Sequence, residues 1–138
     1  MARWLPLLLS MALIFVMSMN HDPYKTLPSA LRQPVHVAQT TYQEEELFSI
    51  PGHIIEYVLL GVTAANAFVR RKHRSIMAFI LVFIGCQIYA LSDEFHQLFV
   101  PGRAFELSDL GLDAIGILAG LLLYWYATKK LRKAESHG

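Results

Sequence analysis

Four long apolar runs dominate this sequence and limit what it can fold into. They span residues 4–19, 51–69, 75–92 and 107–127. A helix needs about 20 apolar residues to cross the hydrocarbon core of a bilayer, and each run approaches that length. A soluble domain of 138 residues, 54% of them hydrophobic, would have too little interior to bury them. The runs therefore predict an all-α membrane protein, a single domain over residues 1–138 built as a bundle of about four transmembrane helices.

The first run also has the position of a signal peptide, because it starts soon after one basic residue, Arg3. Its exit, Ser18-Met19-Asn20, lacks the small residues that favour cleavage. We therefore expect the first helix to remain as an uncleaved anchor.

Lysine and arginine predict the orientation, since cytoplasmic loops carry an excess of them. An N-terminus inside the cell places nine basic residues in the cytoplasm: Arg3, four within residues 70–74 and four within residues 129–133. Only Lys25, Arg32 and Arg103 fall outside. The basic blocks adjoin apolar runs of membrane length, which favours a topology signal over nucleic-acid binding. We expect a multi-pass protein of the cell membrane with both termini cytoplasmic, an outer loop over residues 20–50 and a compact outer loop between helices three and four.

Polar residues gather at the predicted outer ends of the last three helices. In the second helix His53, Glu56 and Tyr57 lie on one face, and Pro51 suits the first turn. These side chains also fit an ordinary role as anchors at the membrane surface. The third helix ends with Asp93, Glu94 and Gln97, and Arg103 follows the Pro101-Gly102 turn.

The fourth helix begins with two acidic residues of different character. Asp109 complements the positive end of the helix dipole, whereas Asp113 lies one turn deeper, where that explanation no longer holds. Gly116 and Gly120 continue the same stripe with the GxxxG spacing that lets another helix approach closely. The acidic face is therefore expected to point into the bundle, and the glycines also allow a homo-oligomer.

Ionisable groups inside a membrane are costly, so burial together is the economical way to satisfy them. We predict one site in which Glu94, Asp113 and His53 are catalytic. Binding roles are predicted for five further residues, namely Arg103, Tyr57, Gln97, Asp93 and Asp109. A structural ion-pair network, with Arg103 paired to Asp109 or Glu94 and His53 paired to Asp113, is the alternative. His53, His96, Asp109 and Asp113 are suitable metal ligands by type, but their spacings match no standard motif, so no metal or cofactor is expected.

The stretch from Ser92 to Arg103, SDEFHQLFVPGR, followed by Asp109, Asp113 and Gly116, closely resembles the VanZ-like family. His53, Tyr57 and Leu60-Gly61 resemble an earlier helix of that family, so the likeness covers about residues 51–123. Members often carry Asn where this chain has Asp113, which leaves the role of Asp113 open. The resemblance implies a membrane protein at the cell envelope, and the family's named member is associated with resistance to the lipoglycopeptide antibiotic teicoplanin.

Three functions fit these observations. The first is an intramembrane enzyme acting on a lipid-linked envelope component, with Arg103 binding an anionic head group. The second is a non-catalytic module that binds a lipid or an acylated antibiotic. The third is a small transporter or flippase, which we rank last because the cytoplasmic halves of helices two and four are almost wholly apolar.

Overall fold

The computed structural model describes residues 3–19, 43–69, 75–100 and 105–135, and within these ranges every regular element is helical. The four helices are α1 (Leu5–Ser18), α2 (Gln43–Phe68), α3 (Ile76–Gln97) and α4 (Leu107–Glu135). The all-α prediction is confirmed, with four helices. Arg103, the Pro101-Gly102 turn and most of the predicted outer loop of residues 20–50 lie outside the described residues.

The helices extend beyond the apolar runs that predicted them. α2 starts at Gln43 rather than at residue 51, so the prediction that Pro51 occupies the first turn is wrong: Pro51 lies inside the helix. The preceding residues Gln43–Glu46 are strong helix formers, and the helix continues although proline removes one backbone hydrogen bond. Apolar length predicts the part of a helix that can cross a bilayer, whereas polar helix formers prolong the helix itself.

α2 and α4 make the most extensive helix contact, and glycine makes it possible. A Cβ atom on Gly61 would lie 2.6 Å from the carbonyl oxygen of Ile117, and one on Gly116 would lie 2.8 Å from that of Ile54. The predicted close approach at the GxxxG stripe is therefore confirmed, and the partner is α2 of the same chain. A homo-oligomer would need another surface.

α1 is attached to the rest of the bundle by hydrogen bonds along its length. The Arg3 guanidinium donates to the backbone oxygen of Asn66, at 2.7 Å from Nη2, and so caps the end of α2. Ser10 Oγ lies 2.9 Å from Thr63 Oγ1, and the Tyr89 hydroxyl donates to the backbone oxygen of Met11 at 2.6 Å. The start of α1 and the end of α2 thus lie at one end of the bundle.

Two helices, Ile76–Gln97 and Leu107–Leu131, are long and apolar enough to cross a membrane. Only 22% and 33% of their most apolar windows are buried, so their apolar side chains face outward, unlike those of a soluble core. Leu81, Ile88 and Leu122 are each more than 60% exposed. The two helices indicate a membrane protein. The prediction of four membrane crossings is supported for α3 and α4 by this measure and stays a prediction for α1 and α2.

Candidate functional site

Three helices bring ionisable side chains together at the end of the bundle opposite Arg3. His53 comes from α2, Glu94 from the last turn of α3 and Asp113 from the second turn of α4. Each offers one ligand atom, and these atoms all lie within 4.8 Å of one another. We call these three residues, with Tyr57, Asp93 and Gln97, the polar cluster.

The acidic members of the polar cluster are shielded from the surroundings. Glu94 and Asp113 are 0% exposed and Asp93 is 4% exposed. The helix contact explains the burial of Asp113, because Gly116 follows it by one turn and brings α4 against the backbone of α2. The predicted orientation of the acidic face of α4 toward the bundle interior is confirmed for Asp113.

Glu94 is held by a donor on each carboxylate oxygen. The amide of Gln97 donates to Glu94 Oε1 at 3.1 Å and also to Asp93 Oδ2 at 3.2 Å. The backbone N–H of Glu106, just before α4, donates to Glu94 Oε2 at 3.2 Å. Glu94 is therefore fixed in position from both α3 and the start of α4.

His53 lies between two carboxylates of α4. Its Nδ1 is 3.2 Å from Asp113 Oδ1, and its Nε2 is 3.9 Å from Asp109 Oδ2. The imidazole ring lies parallel to the ring of Tyr57, with centroids 6.4 Å apart. Both ring nitrogens of His53 thus face an acidic group, and the side chain is only 13% exposed.

Several buried atoms of the polar cluster have no hydrogen-bond partner in the described part of the chain. They are the hydroxyl of Tyr57, Oδ1 of Asp93 and Oδ2 of Asp113. Leaving such a group unsatisfied costs about 1–3 kcal/mol, so native structures rarely tolerate it without a ligand, ion or water. Because three such atoms belong to one cluster, the arrangement is suited to receiving a polar ligand.

The predicted site residues fall into three groups. His53, Tyr57, Asp93, Glu94, Gln97 and Asp113 lie in the polar cluster, Asp109 borders it through His53, and Arg103 lies outside the described residues. His96 is elsewhere, with its ring 4.7 Å from that of Phe15. Sequence reasoning missed Glu106, whose contribution is a backbone N–H that leaves no mark on residue type.

A second feature that the sequence did not predict is an apolar cavity of about 470 Å³ between α1, α2 and α3. Its walls include Leu7, Met11, Leu60, Val82 and Tyr89. Tyr89 stands one helical turn before Asp93 on α3, so this end of the cavity adjoins the polar cluster. The apolar cavity thus lies next to the polar cluster.

Comparison with known proteins places these features in a family. No curated protein and no solved structure matches the chain. The model of the family described as VanZ/LLP1 matches residues 4–129, which takes in α1, α2 and α3, most of α4 and the whole polar cluster. With nearly its entire length matched, this chain belongs to the VanZ/LLP1 family.

Proposed function

We propose that this protein binds the polar head of a lipid-linked cell-envelope component at the polar cluster and transfers protons to or from it. The observation that carries the proposal is the burial of Glu94 and Asp113 beside His53, with Asp113 Oδ2 lacking a partner among the described residues. Membership of the VanZ/LLP1 family supports a membrane protein linked to resistance, and hence a role at the envelope. The predicted orientation would put the polar cluster in the outer leaflet.

In this proposal Glu94 is the general acid or base, because its carboxylate is fully buried and is held in position by hydrogen bonds to both oxygens. His53 relays a proton between its two ring nitrogens, which face Asp113 and Asp109. Tyr57 has a buried hydroxyl available to donate to a substrate oxygen. Arg103, from sequence alone, would hold an anionic head group with its planar fork of donors.

The apolar cavity supports a substrate with a hydrocarbon tail. Its volume of about 470 Å³ is in the range of small-molecule sites, and its walls are almost entirely apolar. A lipid could place its polar head at the polar cluster and its hydrocarbon chain beside Tyr89, and so occupy both the cluster and the apolar cavity.

The experiment compares purified wild-type protein with Glu94→Gln in nanodiscs containing total envelope lipids from the host cell. Mass spectrometry before and after incubation identifies any lipid that wild type converts. We expect Glu94→Gln to abolish the conversion, because the amide keeps the shape of the side chain but cannot act as a general acid or base. Ser92→Ala is the matched control, since Ser92 is exposed and its hydroxyl, as far as the described residues go, donates within its own helix to the backbone oxygen of Tyr89. Equal conversion by Glu94→Gln and wild type would refute the proposal.

A second candidate is non-catalytic binding of an acylated ligand, such as a lipoglycopeptide antibiotic, and the apolar cavity is the observation that favours it. Glu94→Asp separates the two functions. Aspartate is shorter by one methylene, so its carboxylate would lie too far from the substrate for proton transfer but would keep the charge needed for binding. If Glu94→Asp retains full protection against teicoplanin, and if protection fails against a glycopeptide without an acyl chain, binding rather than catalysis is the function.

A further inference from the structure

In the described part of the chain, the buried carboxylates of the polar cluster outnumber their basic partners. Asp93, Glu94 and Asp113 are each less than 5% exposed. In the portion of the chain that the structure describes, His53 pairs with one of the three, Asp113, and no lysine or arginine side chain forms an ion pair with any of them. An unpaired buried charge costs several kcal/mol, so a cation is the natural complement.

We infer that His53, Glu94 and Asp113 form a binding site for a first-row divalent transition-metal ion, of which Zn²⁺ is the probe. One imidazole and two carboxylates are suitable donors for such an ion, and the imidazole favours it over Mg²⁺ or Ca²⁺. The inference shares the polar cluster with the proposed function but does not depend on it: His53 and Glu94 hold the ion in the metal-bound state, whereas the proton transfers described above belong to the metal-free state.

The distances are compatible with coordination after small side-chain movements. Metal–nitrogen and metal–oxygen bonds of about 2.1 Å in a tetrahedral site put the ligand atoms about 3.4 Å apart. The three ligand atoms lie within 4.8 Å of one another, and the pair formed by His53 Nδ1 and Asp113 Oδ1 is already at 3.2 Å. The His53–Asp113 pair is therefore already at the spacing of two metal ligands, and closing the site around an ion requires the more distant ligand atoms to approach by about 1 Å.

Independent support comes from atoms that lack partners. Asp113 is fully buried, yet its Oδ2 accepts no hydrogen bond from the described residues, and the buried hydroxyl of Tyr57 is likewise unpartnered. The ring of Tyr57 lies parallel to that of His53, with centroids 6.4 Å apart, so its phenol group adjoins the same space. These unpartnered atoms point to a ligand rather than to a closed network of hydrogen bonds.

The surroundings also resemble the outer shell of a metal site. With Nδ1 of His53 toward the ion, Nε2 faces the carboxylate of Asp109 at 3.9 Å, an ion-pair distance at which the negative charge favours this orientation of the imidazole. Gln97 and the backbone of Glu106 hold Glu94 by hydrogen bonds of 3.1 and 3.2 Å. Asp109 and Gln97 therefore act as positioning residues for the two ligands.

The test measures metal content directly. The full chain is purified in detergent without chelator, and inductively coupled plasma mass spectrometry counts all first-row metals per chain. We expect about one equivalent in wild type and a loss of at least about tenfold in His53→Ala and Asp113→Asn. His96→Ala is the matched histidine control and should keep the wild-type content, because His96 lies against Phe15.

Stability separates metal binding from misfolding. Asp113→Asn keeps the side-chain shape and removes a buried charge, so after EDTA treatment it should melt at or above the temperature of the wild type. Zn²⁺ should then raise the melting temperature of the wild type and of His96→Ala, but not that of Asp113→Asn. Wild type without bound metal and without a Zn²⁺-induced shift would overturn the inference, as would equal metal content in Asp113→Asn and His96→Ala.

The two proposals fail separately. Stoichiometric metal without conversion of any lipid rejects the proposed function and leaves the metal site standing. Lipid conversion by a metal-free wild type that does not bind Zn²⁺ rejects the metal site and leaves the proposed function.

Discussion

Gly120 of α4 packs against the backbone carbonyl of Val58 in α2 so closely that a Cβ atom at this position would overlap the oxygen. The same Cβ would lie 2.9 Å from the backbone nitrogen of Val62. The obstacle on both sides is backbone rather than a flexible side chain, so the two helices can meet at this distance only if residue 120 is glycine.

Gly120→Ala should therefore destabilise the bundle by forcing α2 and α4 apart. Overpacking of this kind costs about 1–3 kcal/mol. Unfolding by SDS titration in mixed micelles, followed by circular dichroism, measures the loss. Gly111→Ala is the control in the same helix, because a Cβ there has nothing within 4 Å and should leave stability unchanged or slightly raised. Equal stability of the two variants would contradict the close contact.

Gln97→Leu should weaken the fold although it makes α3 more apolar. The substitution removes the donor to Glu94 Oε1 and Asp93 Oδ2, which leaves two buried carboxylates less well satisfied. We expect a loss of about 1–3 kcal/mol in the same unfolding assay. Glu94→Gln in the Gln97→Leu background should recover part of the lost stability, since it removes one of the two buried carboxylates that have lost their hydrogen-bond donor. A Gln97→Leu variant as stable as wild type would show that the amide is not needed.

Ser10→Ala and Thr63→Val form a double-mutant cycle across α1 and α2. The two hydroxyls are 2.9 Å apart and both residues are buried. Hydrogen bonds between membrane helices couple by about 0.6 kcal/mol on average, so we expect a coupling energy of that order. Its measurement also tests whether α1 stays in the mature protein. Zero coupling, together with an intact mass lacking the first helix, would indicate that α1 is cleaved.

Labelling with a membrane-impermeant maleimide on intact cells tests the predicted orientation. Phe99→Cys and Ile76→Cys place thiols at exposed positions near the two ends of α3. Phe99→Cys should react in intact cells because the end of α3 near the polar cluster is predicted to face outward, and Ile76→Cys should react only after lysis. Wild type supplies the background, since Cys86 is buried. The reverse pattern would invert the proposed topology.

The number of helices and their order along the chain were largely predictable, because apolar runs of this length have few structural alternatives to a membrane-spanning helix. The residues that meet in the site were also recognisable, since Glu94 and Asp113 are ionisable groups where a membrane segment should carry none. Their partners were only partly predictable: the pairing of His53 with Asp113 was one alternative among several. The distance between them depends on the glycine contact, and the strength of that contact cannot be estimated from GxxxG spacing alone.

Three other features were harder to predict from the sequence. The backbone N–H that binds Glu94 could belong to any residue except proline, so nothing at Glu106 predicted it. The start of α2 was misplaced because proline was given its usual position at a helix start, although Gln43–Glu46 favour helix. The apolar cavity arises from how three helices pack, and no single residue type signals a space that is left empty.

The glycine contact between α2 and α4 has a consequence for how the protein responds to the membrane around it. His53 and Asp113 belong to helices whose backbones touch, whereas Glu94 is carried by α3, which packs less extensively against both. A thinner or thicker bilayer changes helix tilt, and the loosely packed helices should adjust first. Lipid composition would then alter the separation of Glu94 from the other two groups while leaving the His53–Asp113 pair intact, so that bilayer thickness itself could tune the site.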